Sequence, residues 1–361
     1  MGSILVVTWD AGGNVAPALG IAVELQARGH QVRVMGHAAL APSVESRGLR
    51  FQGYRHSRGW SPGERVSNRR AELDYLAMCT DRGTGRDVLA SVRTDPVDLA
   101  VVDCMLLGAL SAASRSGLPH VALVHTLYAY MRDSFGRGFV DVVAALKRMR
   151  PRGLWDRADR TLVTTAPSLE PLPALPPNAR IVGPVIPPAV PSTLPGPVLV
   201  SLSSLYYPGQ VRTLQSIMDG VADLSVPVIL TTGKSVRPEE IRAPSNVEVH
   251  GYLPHADVMP RVSLVVGHGG HSTAAQALAH DLPMVVLPMF DRSDQALVGE
   301  AIARAGAGEV VHRTAAPAEI RAAIVRMLAG GPHRAAAARL GAEIRATPGA
   351  SGGADEIESL L

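Results

Sequence analysis

GHGGHSTAAQALAHDLPMVVLPMFDRSDQ, Gly267 to Gln295, carries the reading that decides the fold. The apolar run SLVV (Ser263–Val266) leads into it as a buried strand. Glycines then turn the chain into a small-residue helix, TAAQALAH, and PMVVLPM follows as the next strand. A strand joined through a helix to another fully apolar strand is the unit of a parallel sheet covered on both faces. Gly269, Gly270, Ser272 and Thr273 then fall at a strand-to-helix turn. Glycine lets backbone approach an anion, and the unpaired N–H groups of a helix start supply donors at the positive dipole end. His268, Ser272 and Thr273 add side-chain donors. Local physics alone supports equally an ordinary turn with Ser272 or Thr273 as N-cap.

The same alternation extends in both directions. Downstream lies GEVV, and upstream lie VEVHGYLP, PVILTTG and VLVSLSS. Before them, Pro167 to Pro197 is too rich in proline for helix and reads as an extended, stiff linker. The first half repeats the pattern: SILVVTW, a helix over VAPALGIAVELQARG, QVRVMGH, a short helix over APSVESRG, LAVVDC, a helix over LLGALSAASRSG, and HVALVH. Tyr54 to Arg86 lapses into polar, arginine-rich text and reads as a surface loop with helical pieces. The expectation is an α/β chain of two Rossmann-like parallel-sheet domains, residues 1–190 and 191–361, with a closing helix from about Pro332 that packs back on the first.

Composition narrows the function. The 361 residues are 47% hydrophobic but only 4% aromatic, so the cores rest on Ala, Val, Leu and Ile. Net charge is +3, with short basic clusters such as Lys147 to Arg152 and no basic stripe of the kind nucleic acid requires. Cys79 and Cys104 lack metal-ligand spacing and read as buried thiols. With no leader, no apolar run near the ~20 residues of a membrane span and no basic amphipathic helix for surface docking, a cytoplasmic protein without stable membrane insertion is expected.

HGGHST followed by ALAHDLPMVVLPMFDRSDQ resembles the donor signature of family 1 glycosyltransferases of GT-B fold: HGG-x-GT, a small-residue helix, G-x-P-x-x-x-x-P, and DQ. The similarity is greatest to members that decorate microbial natural products such as antibiotics. His268, Gly269, Gly270 and Thr273 match, as do Pro283, Pro288, Asp294 and Gln295, while Ser272 replaces the second glycine. The resemblance implies two domains facing across a cleft. It also implies that His268 and Thr273 bind the nucleotide diphosphate and that Asp294 and Gln295 bind donor-sugar hydroxyls. GYLPHADVMP (Gly251–Pro260) resembles the segment whose aromatic stacks on the nucleobase, which makes Tyr252 the platform, with backbone near Leu253 reading the base. A core tyrosine is the competing reading. LSSLYY occupies the first loop of the donor domain, so Ser203 and Ser204 are candidate phosphate contacts. No DxD pair accompanies them, and neither metal nor other cofactor is expected, because a helix dipole can neutralise a leaving diphosphate.

Family members carry a histidine base in the first domain where this chain reads GGNVAP, with Asn14 in its place. An amide has no lone pair that titrates near neutral pH; as an N-cap, asparagine is favoured. Asp10 on the same loop, or Asp103 or His125 at later strand ends, are the candidate bases, with Asp10 first because the glycine loop brings it closest to the expected cleft. An acceptor that is already activated, or a protein that binds without turnover, would need no base. The resulting expectation is an inverting, metal-independent transferase moving a hexose from a dTDP- or UDP-sugar to a small, largely apolar acceptor. A nucleotide-sugar epimerase and a noncatalytic nucleotide-binding auxiliary are the competing readings. A homodimer is compatible with the sequence.

Overall fold

The computed structural model describes all residues except Pro62, Gly63 and Ser204, and the side chain of Asn68. The chain divides into two units. One holds Met1–Ser61, Arg69–Val185 and Thr347–Leu361; the other holds the described residues 64–68 together with Ile186–Ala346.

The first unit is built on a seven-stranded sheet ordered β3-β2-β1-β4-β5-β6-β7. Its strands are β1 (Ser3–Val7), β2 (Gln31–Gly36), β3 (Arg50–Gly53), β4 (Leu99–Asp103), β5 (His120–Val124), β6 (Arg160–Val163) and β7 (Ala179–Ile181). Every pairing is parallel, and Val6 lies between Val34 and Val101. Such central strands have both faces covered, which is why β1, β4 and β5 are apolar almost throughout and buried. The helix Val15–Ala27 presses Ala18, Leu19, Ile21, Ala22 and Leu25 into this core.

The second unit repeats the plan with six strands, ordered β10-β9-β8-β11-β12-β13. These are β8 (Val198–Ser201), β9 (Val228–Thr231), β10 (Val247–His250), β11 (Leu264–Gly267), β12 (Met284–Val286) and β13 (Gly308–Val310), again all parallel. The helix Gln210–Val221 buries Leu214, Ile217, Met218 and Val221 against them. In each sheet the order reverses between neighbouring strands, β1 with β4 and β8 with β11. Loops part to opposite faces there and leave room for a ligand at the carboxyl ends.

Several elements differ from the sequence reading. The polar stretch after Tyr54 contains two full helices, Asn68–Cys79 and Arg82–Thr94. In the second, glycine spacing rather than an apolar stripe is the signal: a Cβ on Gly85 would lie 2.4 Å from the Gly108 carbonyl oxygen, so the neighbouring helix approaches backbone to backbone. The proline-rich stretch is not all linker, since β7 lies within it and closes one edge of the first sheet. The chain passes from the first unit to the second at Val185/Ile186. The closing segment is two helices rather than one. Pro332–Ala346 packs on His271–Ala279 within the second unit, and only Ala350–Glu358 packs on Val15–Ala27 in the first. Arg28 anchors that last helix through Asp355 and Glu358 at 2.6 and 2.8 Å.

Candidate functional site

Candidate residues gather at the carboxyl ends of the strands in each unit. In the first, the loop after β1 turns through Gly12, whose φ of 88° is open chiefly to glycine. Asn14 follows at the start of the helix but does not cap it. Its backbone is helical (φ −78°, ψ −21°) and its side chain makes no capping bond. The amide instead faces inward, 1% exposed. Its Oδ1 accepts the Ala11 N–H at 3.1 Å, and its Nδ2 donates to the Trp9 carbonyl and to Asp103 Oδ2, each at 2.8 Å. Asp103 ends β4, buried, with its other oxygen accepting the Met105 N–H at 2.9 Å. His125, just beyond β5, places Nδ1 3.4 Å from Asp103 Oδ2, and its ring is 12% exposed. Strand order explains the meeting: Asp103 pairs with Leu123 across β4 and β5, and Thr8 follows the β1 residue paired with Val102.

Asp103, His125 and Cys104 also bring three metal-ligand-type atoms within 4.8 Å of one another, a cluster that the cysteine spacing did not reveal. Burial pushes the Cys104 thiol well above its ordinary range, which keeps it protonated. Asp10 is part-buried, and its carbonyl accepts the Trp60 indole N–H. Beside it stands an aromatic wall absent from the sequence reading: the fully buried Trp9 ring lies 4.8 Å from Trp60 and 5.6 Å from Tyr75, centroid to centroid. Only Trp9 flanks the glycine loop in the sequence; Trp60 and Tyr75 reach it through the fold.

In the second unit the helix after β11 begins at His271, with Gly270 at the N-cap, so Ser272 and Thr273 lie inside the first turn rather than capping it. Their backbone N–H groups are those a helix start leaves unpaired. Gly269 has φ 84°, and a Cβ there would sit 2.6 Å from the Gln295 carbonyl oxygen, so the turn is closed to any larger residue. His268 packs beneath it. Its Nδ1 is buried without a hydrogen-bond partner among the described residues, and burial lowers its pKa from 6.5 to about 4, leaving a neutral imidazole. His255, likewise lowered by burial, bonds Ser201 Oγ at 3.0 Å nearby.

Tyr252 is 67% exposed just beyond β10, which overturns the core-tyrosine reading, and Leu253 beside it is part-buried. Ser203 Oγ accepts the Leu205 N–H at 3.0 Å and shapes the loop after β8; Ser204 lies outside the described residues. Asp294 is part-buried. Gln295 is 1% exposed, with Oε1 accepting the Met289 and Phe290 N–H groups at 2.7 and 3.2 Å, so its amide braces the loop after β12. Tyr207 stacks on Phe290 with centroids 6.4 Å apart, completing that support.

The buried neutral imidazole has a measurable consequence. Folding favours the neutral form, so the stabilisation is fully present above pH 6.5 and is lost as pH falls toward 4. The unfolding free energy of the wild type, read from denaturant titration, is expected to drop across that window by up to roughly 3 kcal/mol. His268→Asn, which does not titrate, should flatten the slope; an unchanged slope would show that His268 is not held neutral by the fold.

Comparison with known proteins adds to this geometry. Residues 215–360 match the family model described as erythromycin biosynthesis protein CIII-like, C-terminal domain. The chain is 32% identical over 323 residues to a PGL/p-HBAD biosynthesis rhamnosyltransferase of Mycobacterium bovis (strain BCG / Pasteur 1173P2), covering 77% of this chain and 71% of that one. The chain belongs to the family 1 glycosyltransferases of GT-B fold. It is also 28% identical over 423 residues to 4'-demethylrebeccamycin synthase of Lentzea aerocolonigenes, covering 99% of each. Among solved structures, the glycotransferase of kitacinnamycin superposes with a TM-score of 0.81 at 24% identity, covering 100% of this chain and 99% of that one. Glycosyltransferase VinC in complex with dTDP does so at 0.76 and 21%, covering 99% of both. These likenesses show the GT-B fold, and the family shows a glycosyltransferase of natural-product type.

Proposed function

We propose that this glycosyltransferase is inverting and metal-independent, moves a hexose from a dTDP- or UDP-sugar, and uses a small, largely apolar acceptor. The observation that carries the donor half is the turn at Gly269, which puts a helix N-terminus over the neutral imidazole of His268. Thr273 and the first-turn N–H groups bind the diphosphate, and His268 donates one further hydrogen bond. Together they meet the charge that builds on the leaving group. Tyr252, exposed beyond β10, stacks on the nucleobase, with Leu253 backbone at its edge. Asp294 takes the sugar hydroxyls while Gln295 holds the loop that presents it. The dTDP bound in VinC favours thymidine as the first nucleotide to test.

In the acceptor half, His125 is the base and Asp103 its partner. The acceptor hydroxyl attacks the anomeric carbon, His125 takes the proton, the bond from that carbon to the diphosphate oxygen breaks, and the configuration inverts. Asp103 stabilises the imidazolium, and Asn14 fixes Asp103 through the 2.8 Å amide contact. A neutral imidazole partnered by a carboxylate suits proton abstraction near neutral pH better than a lone carboxylate such as Asp10. Trp60 and Tyr75 present aromatic surface to an apolar acceptor.

Calorimetric titration with dTDP, UDP and GDP tests the donor reading. Saturable binding of dTDP or UDP is expected. Tyr252→Ala should weaken it by about 5- to 100-fold, the worth of one stacked base. No binding at millimolar nucleotide, or an unaltered Kd in the variant, would remove the assignment.

A further inference from the structure

We infer that the first unit carries a docking surface for anionic lipid bilayers, built on the helix Phe139–Leu146 and the arginines that follow it. Phe139, Val142 and Leu146 are 62%, 56% and 83% exposed. Their spacing puts them on one face of the helix, pointing to solvent, while Ala144 is buried on the opposite side. Leu73, 58% exposed on the helix Asn68–Cys79, extends the apolar surface, since Leu73 and Val143 line one cavity of about 360 Å³. Single exposed apolar residues are ordinary; a helix face made of them is not.

Charge selects the occupant. Residues 132–157 hold six arginines and one lysine against three aspartates, although the whole chain is only +3. The excess surrounds a second cavity of about 580 Å³ on the other flank of the same helix, lined by Arg137, Asp141, Arg148, Arg150, Arg152 and Arg157. Asp133 engages Arg132, Arg137 and Arg152, and Arg157 bonds Ser114. Arg148 and Arg150 are exposed and have no carboxylate partner among the described residues. An apolar helix face with guanidinium groups at its base matches a bilayer whose hydrocarbon boundary lies beneath phosphate headgroups. Nucleic acid would satisfy the arginines but leave Phe139, Val142 and Leu146 in water. The sequence concealed this because the basic residues follow the helix instead of lying on its polar face; the turn at Arg148 (φ 58°) brings them back beside it.

The test is co-sedimentation of the full chain with vesicles of phosphatidylcholine alone and of equimolar phosphatidylcholine and phosphatidylglycerol. Binding to the anionic vesicles only, weakened by salt, is expected. The pair Arg148→Glu and Arg150→Glu should lower partitioning by at least about fivefold per arginine. Phe139→Ser with Leu146→Ser should lower it about tenfold or more, with circular dichroism and nucleotide affinity unchanged in both variants. Absence of binding to anionic vesicles, or binding that neither pair weakens, overturns the inference. A solution dimer dissolved by Phe139→Ser with Leu146→Ser would give this face to a second copy of the chain and overturn it equally.

Discussion

His125→Ala is expected to lower kcat toward an alcohol acceptor by about 10²- to 10⁴-fold, the usual worth of a positioned base, with nucleotide Kd near wild type. The split follows from the geometry. His125 and Asp103 are 3.4 Å apart at the ends of β5 and β4 in the first unit, whereas every nucleotide contact proposed above comes from the second. Asp103→Asn should reproduce most of the loss. It removes the charge that stabilises the imidazolium and sets an amide against the amide of Asn14, where a 2.8 Å donor–acceptor pair stood. A phenolic acceptor, already partly ionised, should recover much of the rate in both variants. Asp10→Asn is the control, with turnover within about threefold of wild type when no proton passes through Asp10. The reverse pattern, a collapse in Asp10→Asn and an active His125→Ala, would return the base to Asp10. Steady-state kinetics beside calorimetry on the same preparations decides it.

The second large effect belongs to His268. His268→Ala should lower kcat/KM by about 10²- to 10³-fold, as loss of one donor aimed at developing charge does elsewhere. Nucleoside diphosphate affinity should fall alongside it. Burial already leaves this imidazole neutral, so the hydrogen bond needs no proton from solvent and its contribution should hold constant from pH 6 to 8, well above its pKa of about 4. His268→Gln, which retains a donor, should recover part of the loss. Nucleotide binding unaffected by either variant would place the diphosphate elsewhere.

The asparagine in the histidine's place illustrates what sequence could and could not reveal. Residue type alone settled that Asn14 is not a base, since an amide does not titrate. Type and position together suggested a helix cap, and that was wrong: the side chain turns inward, where Asp103 offers a charged acceptor worth more than a solvated N–H group. Gln295 shows the same limit. The DQ pair was legible as a motif, but only packing reveals that its second member spends its oxygen on Met289 and Phe290. Trp60 and Tyr75 fell in polar, arginine-rich text that read as loop, and only the fold brings their rings beside Trp9.

The sequence by itself determined the two parallel α/β units and the glycine turn after β11. Each is a contiguous signal: an apolar run, a glycine and a helix start, all within a few residues, with φ 84° at Gly269 demanding the residue type found there. Tertiary structure alone decided the meeting of Asn14, Asp103 and His125. Asn14 and Asp103 stand 89 positions apart, and only the order β1-β4-β5 with its parallel register brings them and His125 to one point. Strand pairing is a non-local choice made by burial of both sheet faces, so no short stretch of this chain contains it.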